Sequence, residues 1–378
     1  MSPLCIVGVE AIPWPVVMRR SFVTALGAKT RSSNMLVRIR LSDGSTGYGE
    51  GSASLAMAHE TRPAMLHTVE ALTPLLHGQD ARGWAALIPR LWTRGRAHPT
   101  ATAAVETALL DALARSRRVA LFQWLGGSVS SVTTGLTISA WPAAQAGAAA
   151  RQAARRGFRQ LKIKVGSDDL DGDMARVLAV RRAAPHARLL LDANQGWTVR
   201  QTEACVRRLR RARVPIALIE QPLPADDLDG LASLTRRLDI PIAVDETVKT
   251  PADALRVIRR RAARVINIKL AKSGLTGALA IIHIARTAGL RLMIGCMAES
   301  RAGLAASVHL ACGTGGFAYV DLDSHLLTRS VPARGGFRAH GPLLSVSAQW
   351  HGTGVTCASW PAAARRRVAP THTMERVG

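Results

Sequence analysis

The sequence of 378 residues is poor in aromatic side chains (4%), holds only five cysteines, has no run of about eighteen apolar residues and almost no lysine. Each shortage excludes something. Cys5, Cys205, Cys296, Cys312 and Cys357 are odd in number, scattered and never spaced as C-x-x-C, which argues against a disulfide framework and against a thiolate zinc site. Without a long apolar run no segment reads as a membrane span. MSPLCIVGVEAIPWPVVMRR also lacks the basic stretch that precedes the apolar core of a secretory signal. The expectation is a cytoplasmic protein with no membrane partner. No glycine pattern of the dinucleotide or P-loop type stands in its required context, and no Ser-His-Asp or Cys-His set suggests itself.

Negative charge is scarce as well: 26 acidic residues face 50 basic ones, for a formal net charge of +24. Only Lys29, Lys162, Lys164, Lys249, Lys269 and Lys272 are lysines, which leaves 44 arginines. Such a charge invites a nucleic-acid reading. The arginines, however, fall as pairs on helix-like segments such as CVRRLRRARV and VIRRRAARV, without interleaved aromatics or any nucleic-acid motif. They read as a solvated face, and no nucleic-acid partner is expected. A non-catalytic protein that binds an acidic partner through these arginines is the alternative from another class. Arginine keeps its proton in proteins, whereas lysine gives it up when neighbours lower its pKa. A lysine in this chain therefore points to a role arginine cannot fill.

Organisation changes along the chain. MLVRIRLSDGSTGYGEG reads as a hairpin turning at Asp43-Gly44, and a mostly helical stretch runs from about Ala64 to Leu125. Residues 1–125 are expected to form an α+β domain. From about residue 135 helix-like and strand-like pieces alternate. PAAQAGAAARQAARRGF, stopped by Gly157, precedes RQLKIKVG, and strands follow at ARLLLDAN, IALIEQP, IPIAVDE, RVINIKLAKSG, LRLMIGCMAES and FAYVDLD. Strands separated by helices at this interval indicate parallel βαβ units. With VTTGLTIS as an earlier strand they predict an α/β domain, a (β/α)7β barrel over residues 126–325. Residues 356–378, rich in Ala, Arg, Pro and Thr, read as a disordered tail.

The informative residues are polar and lie near the C-terminal ends of those strands. Lys164, Asp192, Glu220, Asp245, Lys269, Glu299 and Asp321 follow one another at intervals of 28, 28, 25, 24, 30 and 22 residues, each about one βα unit. In a barrel the strand C-termini meet at one face, where active sites of this fold lie, so the seven are expected around one pocket. Asp192, Glu220 and Asp245 offer three carboxylates with no histidine or cysteine among them. That donor set suits a hard divalent cation, with Mg2+ the usual choice when water and substrate complete the shell. Lys164 and Lys269, on the second and sixth strands, would flank the site from opposite sides. Side chains alternate along LKIKVG, so Lys162 and Lys164 share a face. Each disfavours the other's charge and should lower its pKa from about 10.4, towards a usable base. The same alternation pairs Asp321 with Asp323 in FAYVDLD, and two adjacent carboxylates suit a cation.

Taken in order, LKIKVG, LLLDANQGW, LIEQP, AVDET, INIKLAKSG, GCMAES and VDLDSHLL resemble the enolase superfamily, its muconate-lactonizing-enzyme subgroup, and most closely the dipeptide epimerases of that subgroup, such as those for L-Ala-D/L-Glu. The resemblance spans about residues 3–355. GYGEG resembles the family's capping domain and HGTGV its closing segment, which implies that residues 326–355 return to the capping domain. It implies a dipeptide as small-molecule substrate, one Mg2+ per subunit held by Asp192, Glu220 and Asp245, and a homo-oligomer. It also implies that Lys164 and Lys269 are the acid/base catalysts on opposite faces of the α-carbon of the substrate's C-terminal residue, with a metal-stabilised enolate between the two proton transfers. Lys162 would assist electrostatically at the substrate. Asp321 and Asp323 would bind the substrate's free ammonium group, and Glu299 and Thr137 would line the pocket. N-acylamino-acid racemases, o-succinylbenzoate synthases and muconate-type cycloisomerases share the lysines and carboxylates and form the alternative. One departure stands out. Members that handle acidic dipeptides carry an arginine where Gly27 stands, which counts against an acidic second residue unless Lys29 or Arg31 compensates.

Overall fold

The computed structural model describes residues 2–329, 332–357 and 360. Two long strands, β1 (Ile6–Thr24) and β2 (Gly27–Leu41), pair antiparallel, and β3 (Thr46–Gly51) pairs with β2. Between β2 and β3 the Asp43 carboxylate accepts from the Ser45 N–H at 2.9 Å, and Gly44 takes a φ of 87°, the turn its Asp-Gly sequence favours. Helices α1 (Arg62–Leu76), α2 (Trp84–Gly95) and α3 (Pro99–Ser116) cover this sheet, followed by the short α4 (Leu121–Trp124). α3 is alanine-rich and buried over nearly its whole length. It lies against β3 on one side and the barrel on the other.

The second sheet has eight strands, each parallel to its neighbours in the sheet. In chain order the elements are β4 (Ser131–Thr133), β5 (Leu136–Ile138), α5 (Ala143–Arg155), β6 (Gln160–Lys164), α6 (Leu170–Ala183), β7 (Arg188–Asp192), α7 (Val199–Arg211), β8 (Leu218–Glu220), α8 (Leu228–Arg237), β9 (Ile242–Val244), α9 (Pro251–Arg260), β10 (Val265–Ile268), α10 (Leu270–Thr287), β11 (Arg291–Gly295), α11 (Arg301–Thr314), β12 (Phe317–Asp321) and α12 (Ser324–Leu327). Strands β5 to β12 are hydrogen-bonded in sequence order. The Gly135 N–H donates to the Val320 carbonyl at 2.8 Å, which brings the two ends of the sheet together as a barrel. Apolar side chains such as Leu161, Ile163, Leu189, Leu191, Ile219 and Ile266 face the helices. Leu190, Leu218, Ala243, Val265, Met293 and Tyr319 fill the lower interior. The barrel interior is therefore packed from below, and the pocket that reaches into it opens at the strand C-termini.

One expected strand divides. VTTGLTIS contributes Leu136–Ile138 to the barrel, whereas Ser131–Thr133 pairs with β15 (Leu343–Ser345), which in turn pairs with β14 (Arg338–His340). Further on, the Thr353 N–H donates to Asp111 of α3 at 2.6 Å, and Gly352 exchanges backbone hydrogen bonds with Val119 and Leu121. The C-terminal segment thus touches both the barrel and the first domain. Of the tail expected from residue 356, Thr356 and Cys357 form β16, paired with β13 (Ala333–Arg334), and the Trp360 ring lies 4.2 Å below the Arg38 guanidinium. The rest of that tail lies outside the described residues. No helix among the described residues is long and apolar enough to cross a membrane.

Candidate active site

Strand register sets the site. Thr137 of β5 lies opposite Lys162 of β6, Lys164 opposite Asp192 of β7, and Asp192 opposite Glu220 of β8. Asp245 follows β9 directly after Val244, and Lys269 follows β10 directly after Ile268. Gly295 of β11 lies opposite Asp321 of β12. The alternation that put Lys162 and Lys164 on one face aims both into the barrel. These two lysines, Lys269 and the three carboxylates Asp192, Glu220 and Asp245 are 0–7% exposed.

The polar groups form one connected set. Lys162 Nζ lies 2.6 Å from Asp321 and 3.1 Å from both Asp192 and Glu220. Lys164 Nζ donates to Asp192 at 2.6 Å and to Asn194 at 3.0 Å. Across the barrel Lys269 and Lys272 donate to the two oxygens of Asp245 at 2.6 and 2.7 Å. Asn267 donates to Glu220 at 2.6 Å. Room for Lys269 comes from Gly295, where a Cβ would stand 2.9 Å from the lysine Cε. Thr137 ties the last two acids together: its N–H donates to Asp323 at 2.6 Å and its hydroxyl to Asp321 at 3.3 Å.

Burial alone would disfavour the charge of every one of these groups, so the shifts show where partners win. For Lys162 the pull of Asp321, Glu220 and Asp192 outweighs burial, and its pKa lies well above that of a free lysine. Lys269 is raised in the same way by Asp245. The mutual depression expected from the Lys162/Lys164 pair is thus overturned at Lys162, because three carboxylates surround it. Burial likewise opposes the charge of Asp192, but Lys164 and Lys162 hold it at about 2. Glu220 is raised by burial and by the like charges of Asp192 and Asp245. Asp323 is pushed up to about 7 by burial and by Asp321.

Asp192, Glu220 and Asp245 fit a hard divalent cation by donor chemistry and position. They are three buried carboxylates on neighbouring strands, and Glu220 is raised by its two acidic neighbours. Among the described residues no three such groups are drawn in to metal-ligand spacing, since each of these carboxylates is turned onto a lysine.

A cavity opens above this floor, roofed by the first domain. Its walls include Thr137, Lys162, Lys164, Asp245, Lys269, Asp321 and Asp323, and from the roof Phe22, Leu26, Lys29, Leu55 and Met57. The Phe22 ring lies 5.8 Å from Lys164 Nζ. Asp192 and Glu220 lie beneath the lysines rather than on the cavity wall. Glu299 is also set back, behind Cys296, Met297 and Ala298. There burial and the neighbouring Glu50 push its carboxyl up to about 7, and Glu299 Oε2 has no partner among the described residues. Glu50 accepts from Asn34 at 2.7 Å and from the Ser300 N–H at 2.9 Å, which fastens the roof to the loop after β11.

Several site residues escaped sequence reasoning. Lys272 pins Asp245, Asn194 receives Lys164, and Gln221 receives the Asp245 and Thr247 N–H groups at 2.9 and 3.2 Å. Asn194, two residues after Asp192, and Gln221, directly after Glu220, have φ values of 43° and 37°, left-handed backbone of the kind in which strain gathers at functional sites. The scarcity of lysine was the available signal for Lys272, because all six lysines of the chain line this one cavity.

Comparison with known proteins places these features in context. Residues 145–359 match the enolase C-terminal domain-like family, and residues 8–126 match the N-terminal domain of the mandelate racemase / muconate lactonizing enzyme family. The chain is 37% identical over 341 residues to an aromatic dipeptide epimerase of Herpetosiphon aurantiacus, covering 90% of this chain and 95% of that one. It is 36% identical to an L-Ala-D/L-Glu epimerase of Thermotoga maritima, covering 85% and 92%. A dipeptide epimerase of Enterococcus faecalis, solved in complex with Mg and the dipeptide L-Leu-L-Tyr, superposes with a TM-score of 0.88 at 32% identity, covering 94% of this chain and 100% of that one.

Proposed function

The chain belongs to the mandelate racemase / muconate lactonizing enzyme family of enolase-like proteins, and from that premise we propose that it is a Mg2+-dependent dipeptide epimerase inverting the α-carbon of the C-terminal residue. The observation that carries this reading is the division of the barrel mouth by two lysines. Lys164 on β6 and Lys269 after β10 are separated on one side by β7, β8 and β9, and on the other by β11, β12 and β5. The first arc holds Asp192, Glu220 and Asp245. The second holds Asp321, Asp323 and Thr137.

A dipeptide's two charged ends match these arcs. Its carboxylate faces the first, and its ammonium group sits on Asp321 and Asp323, held in place by Thr137. The α-carbon then lies between the lysines. One takes the α-proton from its face and the other returns a proton to the opposite face, which inverts the centre. Lys162, low in the cavity wall, keeps its proton and offsets negative charge that develops on the substrate carboxylate. A divalent cation held by Asp192, Glu220 and Asp245, one per subunit, would share the negative charge that now raises Lys162 and Lys269 and would supply positive charge as the α-proton leaves. Phe22, Leu26 and Leu55 close the site from above. A homo-oligomer in the cytoplasm is part of the same reading; size-exclusion chromatography measures the first.

The acidic arc at Asp321 and Asp323 distinguishes a dipeptide from an N-acyl amino acid, which has no ammonium group to bind. The test is a proton-NMR screen in D2O with Mg2+, using L,L-dipeptides beside their N-acetyl forms. Deuterium should enter the α-position of the free dipeptides only, and Asp321→Asn with Asp323→Asn should abolish it. Exchange with N-acyl amino acids alone would assign the chain to the racemases of the subgroup.

A further inference from the structure

The two lysines that flank the α-carbon are held in different ways. Lys164 ends β6, and its ammonium donates to Asp192 and Asn194, on β7 and the loop after it. Lys269 stands where β10 gives way to α10, on a single turn that also carries Lys272, whose N–H donates to the Lys269 carbonyl at 3.0 Å. That turn ends at Gly274. Its φ of 65° and ψ of −175° are not helical, so the rest of α10 does not dictate how the turn is oriented.

The first domain supplies anchors on both sides of the break, through α3. Before Gly274 the Thr100 hydroxyl donates to the Ala271 carbonyl at 3.3 Å; after it the Glu106 carboxylate accepts from the Thr276 N–H at 2.7 Å, one of the free N–H groups that open the second helical piece. The other Glu106 oxygen accepts from the Trp92 indole of α2 at 2.6 Å. Only glycine fits at 274, because a Cβ there would collide with that same oxygen and its φ is left-handed. Thr100 and Glu106 are both fully buried, and Glu106 has no ion-pair partner among the described residues. A carboxylate buried without a cation is costly, and capping one N–H does not require it. What Glu106 adds is a link from α2 and α3 to the turn that carries Lys269. Thr100 adds another: its own N–H donates at 2.9 Å to Glu60, at the end of the loop that brings Leu55 and Met57 over the cavity.

We infer that Glu106 and Thr100 are positioning residues for Lys269: α3 of the first domain sets the angle at which Lys269 meets the α-carbon, whereas Lys164 is set by the barrel. This rests on the two-lysine reading above. Proton transfer tolerates little misplacement, since an error of about 1 Å costs on the order of 10²-fold. Lys269 and Lys272 share the turn and grip opposite oxygens of Asp245, so a turn that tilts takes both ammonium groups with it. Loosening the α3 anchors should therefore impair one face of the α-carbon and spare the other.

The test measures how fast the L,L and L,D forms of one dipeptide lose their α-proton in D2O, at saturating Mg2+ and substrate, in wild type, Glu106→Ala, Glu106→Gln and Thr100→Val. Lys269→Ala marks the diastereomer that Lys269 serves. Glu106→Ala should slow that diastereomer by about tenfold or more relative to the other. Thr100→Val should shift the ratio the same way by a smaller factor, and Glu106→Gln, whose amide oxygen still accepts from Thr276, should restore most of it. The ratio isolates positioning, because loss of fold or of metal affinity slows both diastereomers together. If Glu106→Ala does not fold, Thr100→Val, which removes only one hydroxyl, decides the matter alone. Equal slowing of both forms, an unchanged ratio, or a shift against the diastereomer served by Lys164 overturns the inference and leaves the epimerase reading standing. A wild type that exchanges no dipeptide overturns both.

Discussion

The outer wall of the barrel and its mouth use opposite cations. On the wall, Arg208, Arg210, Arg237, Arg256 and Arg260 pair with carboxylates while their side chains stay 40–62% exposed. In the mouth, the ion pairs belong to Lys162, Lys164, Lys269 and Lys272, with side chains 3–9% exposed. No arginine lines the cavity among the described residues. Arg176, which is buried, reaches the site only from behind, donating to the Lys164 carbonyl at 3.2 Å. The division follows the chemistry: a permanent charge suits a solvated surface, whereas proton transfer needs a group that can be neutral. The described ion pairs of the solvated wall are thus made by arginine, and those of the buried mouth by lysine.

That contrast can be broken from the inside first. Lys164→Arg and Lys269→Arg keep the charge and remove the removable proton, so either should cut kcat for epimerisation by about 10²–10⁴-fold, read by polarimetry. Arg208→Lys and Arg260→Lys on the wall should leave it unchanged. Next, Asp245→Asn leaves Lys269 and Lys272 buried without their carboxylate. Metal-free protein should lose about 3–5 kcal/mol in urea unfolding, the range for breaking a buried pair.

A smaller effect tests the burial of Glu299. Its folded pKa of about 7 lies above the ordinary 4.5, so the folded state holds a proton that the unfolded state has released. Glu299 should therefore make stability fall as pH rises from about 4.5 to about 7, by roughly 2–3 kcal/mol, and Glu299→Gln should remove that share of the slope and leave the share of Asp323. Asp192 has the opposite sign. Its folded pKa of about 2 gives stability that is present above pH 4 and lost as pH falls towards 2. The smallest change belongs to the wall: Arg237→Ala breaks the 2.8 Å pair with Glu203 and should cost less than about 1 kcal/mol, less still in high salt.

Much of the site was legible because strand periodicity is local. Alternation alone put Lys162 and Lys164 on one face, and an interval of about one βα unit brought Asp192, Glu220 and Asp245 side by side. The split of VTTGLTIS was not legible, since β4 is defined by a partner strand more than 200 residues away, at Leu343–Ser345. Nor was the sign of the Lys162 shift. Two lysines on one strand suggest repulsion, but the three carboxylates that reverse it come from β7, β8 and β12. Glu299 was expected on the cavity wall and lies behind it, because the chain after β11 turns Met297 and Ala298 inward and Glu299 towards Glu50. Lys29 could be noticed for being a lysine, but only the seating of β1 and β2 over the barrel shows that it reaches the pocket.

The central claim is that two lysines face one α-carbon from opposite sides. It is tested most directly by following α-proton exchange in D2O separately for the L,L and L,D forms of one dipeptide, in Lys164→Ala and Lys269→Ala. Each variant should exchange one diastereomer without inverting it, and the two variants should keep opposite diastereomers. Inversion that survives in either variant, or loss of exchange from the same diastereomer in both, would contradict the account.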